Sequence, residues 1–163
     1  VKRHYTGIDD GLAAGKRAGT EKFVELCIKH SGGKLWNNGT FGNRAKRGGT
    51  TMSVHATGRA MDLSYRNMKD GKRGGDTPRK TAVEWCEILT KNADLLGVEC
   101  ILDYFPQPFG RGWRCDRETG WKNYTKLEIH GAPNGDWLHV ELSPAMADDP
   151  KRVIEAFAQI FPA

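Results

Sequence analysis

Four residues carry side chains that could do metal chemistry together: His55, Asp62, Asp136 and His139. Two imidazoles and one carboxylate are a zinc-type ligand set, and three protein ligands leave the fourth tetrahedral position open for water, as catalytic sites do. An acid placed near such a site without binding the ion suits a base that takes a proton from water and passes it to a leaving amine. The competing reading is plain: His55 is a surface loop histidine and Asp62 caps a strand end.

Two short strands must position the set. Met61, Leu63 and Tyr65 form one face of the first, with Ala60, Asp62 and Ser64 opposite. Leu138, Val140 and Leu142 form the apolar face of the second, with Trp137, His139 and Glu141 opposite. Period-2 alternation therefore puts Asp62 and His139 on the non-core side of half-buried strands. If the strands are neighbours, both side chains enter one cleft. His55 precedes Asp62 by seven residues, an odd spacing that in one unbroken strand would separate them. A bend is required, and Gly58 permits it. Asp136 follows Asn134–Gly135, where a turn can swing it back over the metal.

The segment Ser53-Val-His55-Ala-Thr-Gly58-Arg-Ala60-Met-Asp62 resembles the pattern S-x-H-x-x-G-x-A-x-D of zinc D-Ala-D-Ala carboxypeptidases and L-alanoyl-D-glutamate endopeptidases. These share a superfamily with lysostaphin-type peptidases and the hedgehog signalling domain. Asp136-Trp-Leu-His139-Val-Glu141 is similar to the family's second segment, D-x-x-H-x-E, in the family's chain order. The resemblance spans about residues 50–142. It implies that His55, Asp62 and His139 hold Zn2+ and that Asp136 is the general base, an Asp as in phage endolysin peptidases. It also implies an upstream arginine that contacts the substrate carbonyl. Arg44 and Arg47 are the candidates, Arg44 as oxyanion partner and Arg47 as a substrate-binding residue; neither sits in a recognisable S-G-Y-R segment. The partners implied are peptidoglycan stem peptides, met at the bacterial cell wall by a phage lysin, a virion-associated domain or a bacterial enzyme. The bond cut is expected to lie inside the stem, L-Ala-D-Glu type, with terminal D-Ala removal as the alternative. A zinc-containing wall- or partner-binding module without catalysis is the runner-up, and the presence of Asp136 argues against it.

Other residues carry two readings each. Ser53 orients a ligand or the bend, or is solvated. Glu141 backs a ligand from behind or is a surface glutamate. Trp137 walls a groove or packs as an aromatic. His130 is read as a structural or exposed loop histidine, and Tyr104 and Trp113 as packing a loop over the sheet edge.

The rest of the chain reads as scaffold. Residues 1–18 are polar, with one short helix around Leu12–Lys16. A helix is predicted from about Thr20, its cap, to His30, ended by Gly32–Gly33, with Phe23, Val24, Cys27 and Ile28 as its stripe. Residues 31–53 read as loops with short strands, and 66–76 as a polar loop. A second helix is predicted from Pro78 to Leu96, capped by Thr77 and stopped by Gly97, with Ala82, Cys86, Leu89, Ala93 and Leu96 facing inward. Val98–Tyr104 reads as a strand, 105–124 as a Gly- and aromatic-rich excursion, and Pro150–Phe161 as a closing helix capped by Asp149 with Val153, Phe157 and Ile160 inward. Helices first and last with strands between imply an α+β fold: a small antiparallel sheet with helices packed on one face, hedgehog/D-Ala-D-Ala peptidase-like by the resemblance, forming one domain over 1–163.

Composition sets the outer limits. The 163 residues are 38% hydrophobic and 28% charged, ordinary for a soluble globular chain able to bury a core. No stretch reaches the roughly 18 apolar residues of a membrane span, and Val1–His30 lacks the apolar region of a signal peptide; a start at Val suggests processing or a cut from a longer chain. The net charge of +5 draws the protein toward polyanions. It is densest at Arg44–Lys46–Arg47, which reads first as a solvated loop. No helix-turn-helix or RNA-binding signature accompanies it, so no nucleic-acid partner is expected, and a monomer is. The cysteines at 27, 86, 100 and 115 contain no CxxC pair. Cys27 and Cys86 read as small buried hydrophobes; Cys100 and Cys115 could pair.

Overall fold

The structure, a computed structural model, describes residues 2–43, 45, 46, 48–66 and 76–163. Arg44, Arg47 and nearly all of the polar loop 66–76 lie outside the described residues. The helices are α1 (Ala18–His30), α2 (Asp76–Lys91), α3 (Ala93–Leu96), α4 (Pro144–Asp148) and α5 (Pro150–Ile160). The strands are β1 (Trp36–Asn37), β2 (Ala60–Ser64), β3 (Val98–Asp103), β4 (Arg111–Arg114), β5 (Trp121–Asn123) and β6 (Trp137–Leu142). They form one antiparallel sheet in the order β1-β2-β6-β3-β4-β5. The last long strand thus inserts between β2 and β3, which makes the strands that carry Asp62 and His139 direct neighbours.

The alternation read from the sequence decides which face is covered. Met61, Leu63, Ile101, Leu138, Val140 and Leu142 are fully buried and pack with Phe23, Val24 and Cys27 of α1, Ala82, Cys86 and Leu89 of α2, and Val153 and Phe157 of α5. Burying each large apolar side chain stabilises by roughly 1.5–3 kcal/mol relative to exposure. Together they fix the register of the sheet, because a one-residue slip would turn this whole set outward. Phe23 meets Phe157 edge to face at 5.0 Å, locking the first helix to the last. The opposite face carries a smaller cluster of Tyr104, Tyr124 and Ile129 with Leu102, Ala132 and Trp137 against it, and there the cleft opens.

Several expectations change at element ends. The helix around Leu12–Lys16 does not form; residues 11–17 run as irregular backbone, with Ala13 N donating to Ala56 O at 2.9 Å and Arg17 bridging Asp10 and Asp148. Thr20 is not a cap. It lies inside α1, whose N-cap is Arg17, and its hydroxyl donates to Gly58 O at 2.7 Å. Helix α2 begins at Asp76, so Thr77 and Pro78 are interior, and the predicted single helix breaks at Asn92 before α3. Gly97 ends it as anticipated, with φ +66°. The 105–124 excursion contains β4 and β5, so Trp113 is a strand residue paired with Ile101 rather than a loop-packing one. Helix α4 directly follows β6: Ser143 caps it, Pro144 starts it, and Gly19 of α1 lets it approach so closely that a Cβ there would collide with the Met146 carbonyl. Asp149 caps α5 by accepting from Arg152 N at 3.0 Å. Cys27, Cys86, Cys100 and Cys115 are all buried and free, so Cys100 and Cys115 do not pair. No helix among the described residues is long and apolar enough to cross a membrane.

Candidate metal centre

Asp62 and His139 are directly opposed across β2 and β6. Side chains so opposed share one face, with Cβ atoms about 5 Å apart. His55 arrives differently. Residues Val54–Thr57 form a 3-10 turn that Ser53 caps by accepting from His55 N at 3.2 Å. Gly58, at φ +75°, then reverses the chain into β2. The bend predicted at Gly58 is therefore real, and Ser53 acts on the bend. A Cβ at Gly58 would meet Arg17 Cδ at 2.9 Å, a second reason for glycine there.

The result is a compact group. One ligand atom from each of His55, Asp62 and His139 lies within 4.8 Å of the others. His55 Nε2 is 3.2 Å from Asp62 Oδ2, and His139 Nδ1 is 3.2 Å from Asp62 Oδ1. Ligand bonds of about 2.1 Å in a tetrahedron place neighbouring donor atoms about 3.4 Å apart, so the group already has the span of a coordination shell. Both histidines are 5–6% exposed.

The far nitrogens settle which atoms would face an ion held by this group. His55 Nδ1 lies 2.7 Å from Thr40 O. A carbonyl only accepts, so Nδ1 carries the proton and Nε2 presents its lone pair. His139 Nε2 lies 2.9 Å from Glu141 Oε1, so Nε2–H donates and Nδ1 faces Asp62. Backing of ligand histidines by carbonyl and carboxylate is what fixes ring orientation in metal sites. Glu141, 4% exposed, is thus buried behind the His139 ring and is not a surface glutamate. Burial alone would lower the His139 pKa; hydrogen bonds and charge from Asp62 and Glu141 reverse that and raise it to about 9. Burial would likewise raise Asp62, but the two histidines hold its carboxyl well below the usual range. The residues fit a metal ion in donor type, spacing and outer support.

Asp136 is not a member of this group. It is fully buried one residue before β6. Its carboxylate sits in a fork from Arg66, with Nε to Oδ2 at 2.9 Å and Nη2 to Oδ1 at 3.3 Å. Arg66 lies on the cleft wall with a side chain 39% exposed. Its position just past β2 gave no sequence signal, because the resemblance pointed upstream.

The cleft encloses about 900 Å3. His55, Asp62, His139 and Glu141 line it together with Ser53, Trp137, Tyr104 and His130. Trp137 stacks on Tyr104 with centroids 4.5 Å apart, so it both packs and walls the groove; Tyr104 belongs to the cleft face. Lys46, Arg66, Arg114 and Arg117 also reach the cleft. His130 is exposed and close to Gly48, where a Cβ would meet its Nε2, so two loops converge over the opening. No protein-family model matches the chain, and no curated protein or solved structure matches it.

Proposed function

We propose that the chain is a zinc-dependent peptidase that cuts an amide bond in peptidoglycan stem peptides. The observation carrying this reading is the convergence of His55, Asp62 and His139 at 3.2 Å spacings in an accessible cleft, from the two motifs that resemble the wall-peptidase family. Zinc suits two buried imidazoles and a carboxylate better than a hard cation would, since magnesium and calcium favour all-oxygen shells. When bound, zinc supplies Lewis-acid chemistry to a scissile carbonyl and an attacking water.

The remaining work falls to the chain's own side chains. Asp136 is the base its motif implies, taking the proton of the attacking water and returning it to the leaving amine. That role requires its buried carboxylate, which does not line the cleft, to turn out of the Arg66 fork. Arg66 fixes the Asp136 carboxylate in its fork, and its outward N–H groups offer positive charge to the oxygen on which negative charge develops. Arg66 is thus a candidate for that role beside Arg44, which lies outside the described residues. Trp137, stacked on Tyr104, walls the groove. Lys46, Arg114 and Arg117 make the cleft welcoming to a peptide that carries carboxylates. An internal L-Ala-D-Glu bond is the preferred site of cleavage, with removal of a terminal D-Ala as the other.

One observation favours a non-catalytic zinc module that binds the wall or a partner: the Asp136 carboxylate is fully buried in the Arg66 fork. Zinc analysis combined with digestion of whole sacculi and of a pentapeptide ending in D-Ala-D-Ala, read by mass spectrometry, separates the readings. New L-Ala and D-Glu termini in sacculi support the endopeptidase. Free D-Ala from the pentapeptide alone reassigns the bond. No cleavage by fully zinc-loaded protein overturns the enzymatic reading.

A further inference from the structure

Residues 2–17 form neither helix nor strand before α1, yet they are fastened to the body of the fold along their length. Arg3 donates to Asp94 at 2.7 Å and Arg3 N to Cys115 O at 2.8 Å. Thr6 donates to buried Glu99 through both its amide, at 2.8 Å, and its hydroxyl, at 3.1 Å. Asp10 accepts from fully buried Arg59 at 3.0 Å, and Arg17 bridges Asp10 and Asp148. These bonds surround a residue with a different task. Tyr5 lines the metal cleft, and its hydroxyl donates to Glu141 Oε2 at 2.7 Å. The other oxygen of that carboxylate accepts from His139 Nε2 at 2.9 Å. The guanidinium of Arg114 lies over the Tyr5 ring, 3.9 Å from its centroid, and holds the ring in place.

The geometry points to Tyr5 as a positioning residue of the metal site, reaching the ion through Glu141 and His139. This inference rests on the reading of His55, Asp62 and His139 as ligands. Buried Glu141 has a rotatable carboxylate, and a bond to only one oxygen leaves it free to turn. Tyr5 engages the second oxygen, so the first stays aimed at Nε2 and Nδ1 stays aimed at the ion. Partners of this kind are commonly worth 10–100-fold in metal affinity. The coupling also makes the irregular N-terminal segment a structural part of the site rather than a leader to the first helix.

The test is zinc affinity, measured on the full chain by competition with a chelator, for wild type, Tyr5→Phe and Thr6→Val. Phe keeps the ring under Arg114, and the flanking anchors at Arg3, Thr6, Asp10 and Arg17 are untouched. Thr6→Val loosens the same segment without reaching Glu141. Tyr5→Phe should weaken zinc binding about 10-fold or more and change the visible absorption of the cobalt(II)-loaded protein, while Thr6→Val leaves both unchanged. Equal zinc affinity and an equal cobalt spectrum in Tyr5→Phe and wild type would overturn the inference and leave the metal site standing. Equal weakening in both variants would overturn it too, by tracing the effect to general loosening. A wild type that binds no zinc would overturn the ligand reading and the inference together.

Discussion

On the proposed ligand set, zinc uptake should be proton-coupled through His139, and the size of the coupling follows from the structure. In the metal-free protein the ring lies between two carboxylates, with Nδ1 3.2 Å from Asp62 and Nε2 2.9 Å from Glu141. Both nitrogens then hold protons, and the pKa rises to about 9. The ion needs the Nδ1 lone pair, so binding must displace that proton. At pH 7 the protonated form then outnumbers the neutral one on the order of 100 to 1, a handicap of about 3 kcal/mol at about 1.4 kcal/mol per pH unit. The zinc association constant should climb about tenfold per pH unit from pH 7 to pH 9 and then level. About one proton should be released per zinc at pH 7. Calorimetric titration in buffers of different ionisation enthalpy measures both. Glu141→Gln keeps a hydrogen-bond acceptor but removes one of the two charges, so the levelling point should move to lower pH. An affinity flat between pH 7 and pH 9, with no proton released, would refute this account of the His139 environment.

The same shift has a consequence for the metal-free fold. The folded pKa of His139 lies above the ordinary value of 6.5, so its ion pairs contribute fully below about pH 6.5 and are lost as pH rises through about 9. The metal-free protein should therefore lose thermal stability across that window, and zinc should restore it, as thermal unfolding with and without a chelator would show. Asp136→Ala should retain zinc but lose hydrolysis of sacculi; full activity would remove Asp136 from the reaction, and lost zinc would make it a ligand. Leu138→Ala empties a fully buried site beneath β6 and should cost about 2–5 kcal/mol in denaturant unfolding. Gly58→Ala combines a φ of +75° with a 2.9 Å approach to Arg17. It should cost at least about 1–2 kcal/mol and weaken zinc binding by displacing His55; unchanged zinc affinity would show that the bend does not position the ligand.

Much of the candidate site was legible because its signals are local. Alternation over Ala60–Ser64 and Trp137–Leu142 needs only the pleat of a strand, and it put Asp62 and His139 on the face away from the helices, where the sheet has them. The odd spacing of His55 from Asp62 demanded a bend, and only Gly58 in that interval tolerates the positive φ found there. The stripes of α1, α2 and α5 followed from helical periodicity, since burial of one face needs no knowledge of what covers it. Element ends were less legible. Thr20 has the chemistry of a cap, but a tertiary partner, Gly58 O, takes its hydroxyl. The strands inside 105–124 are only three and four residues long, too short for a period-2 pattern to stand out.

What only the tertiary structure decided is contact between residues distant in sequence. Insertion of β6 between β2 and β3 brings Asp62 within hydrogen-bonding reach of a histidine 77 residues away. The same fold carries Thr40 behind His55, Tyr5 behind Glu141 and Arg66 onto Asp136. None of these partners has a pattern of its own. A tyrosine, a backbone carbonyl and an arginine each become part of the site only when the sheet order is set. That order is the choice that buries the helix-facing side chains of β2, β3 and β6 together. Residue type and spacing thus determined which side chains could hold a metal, and burial of the opposite face determined that they meet.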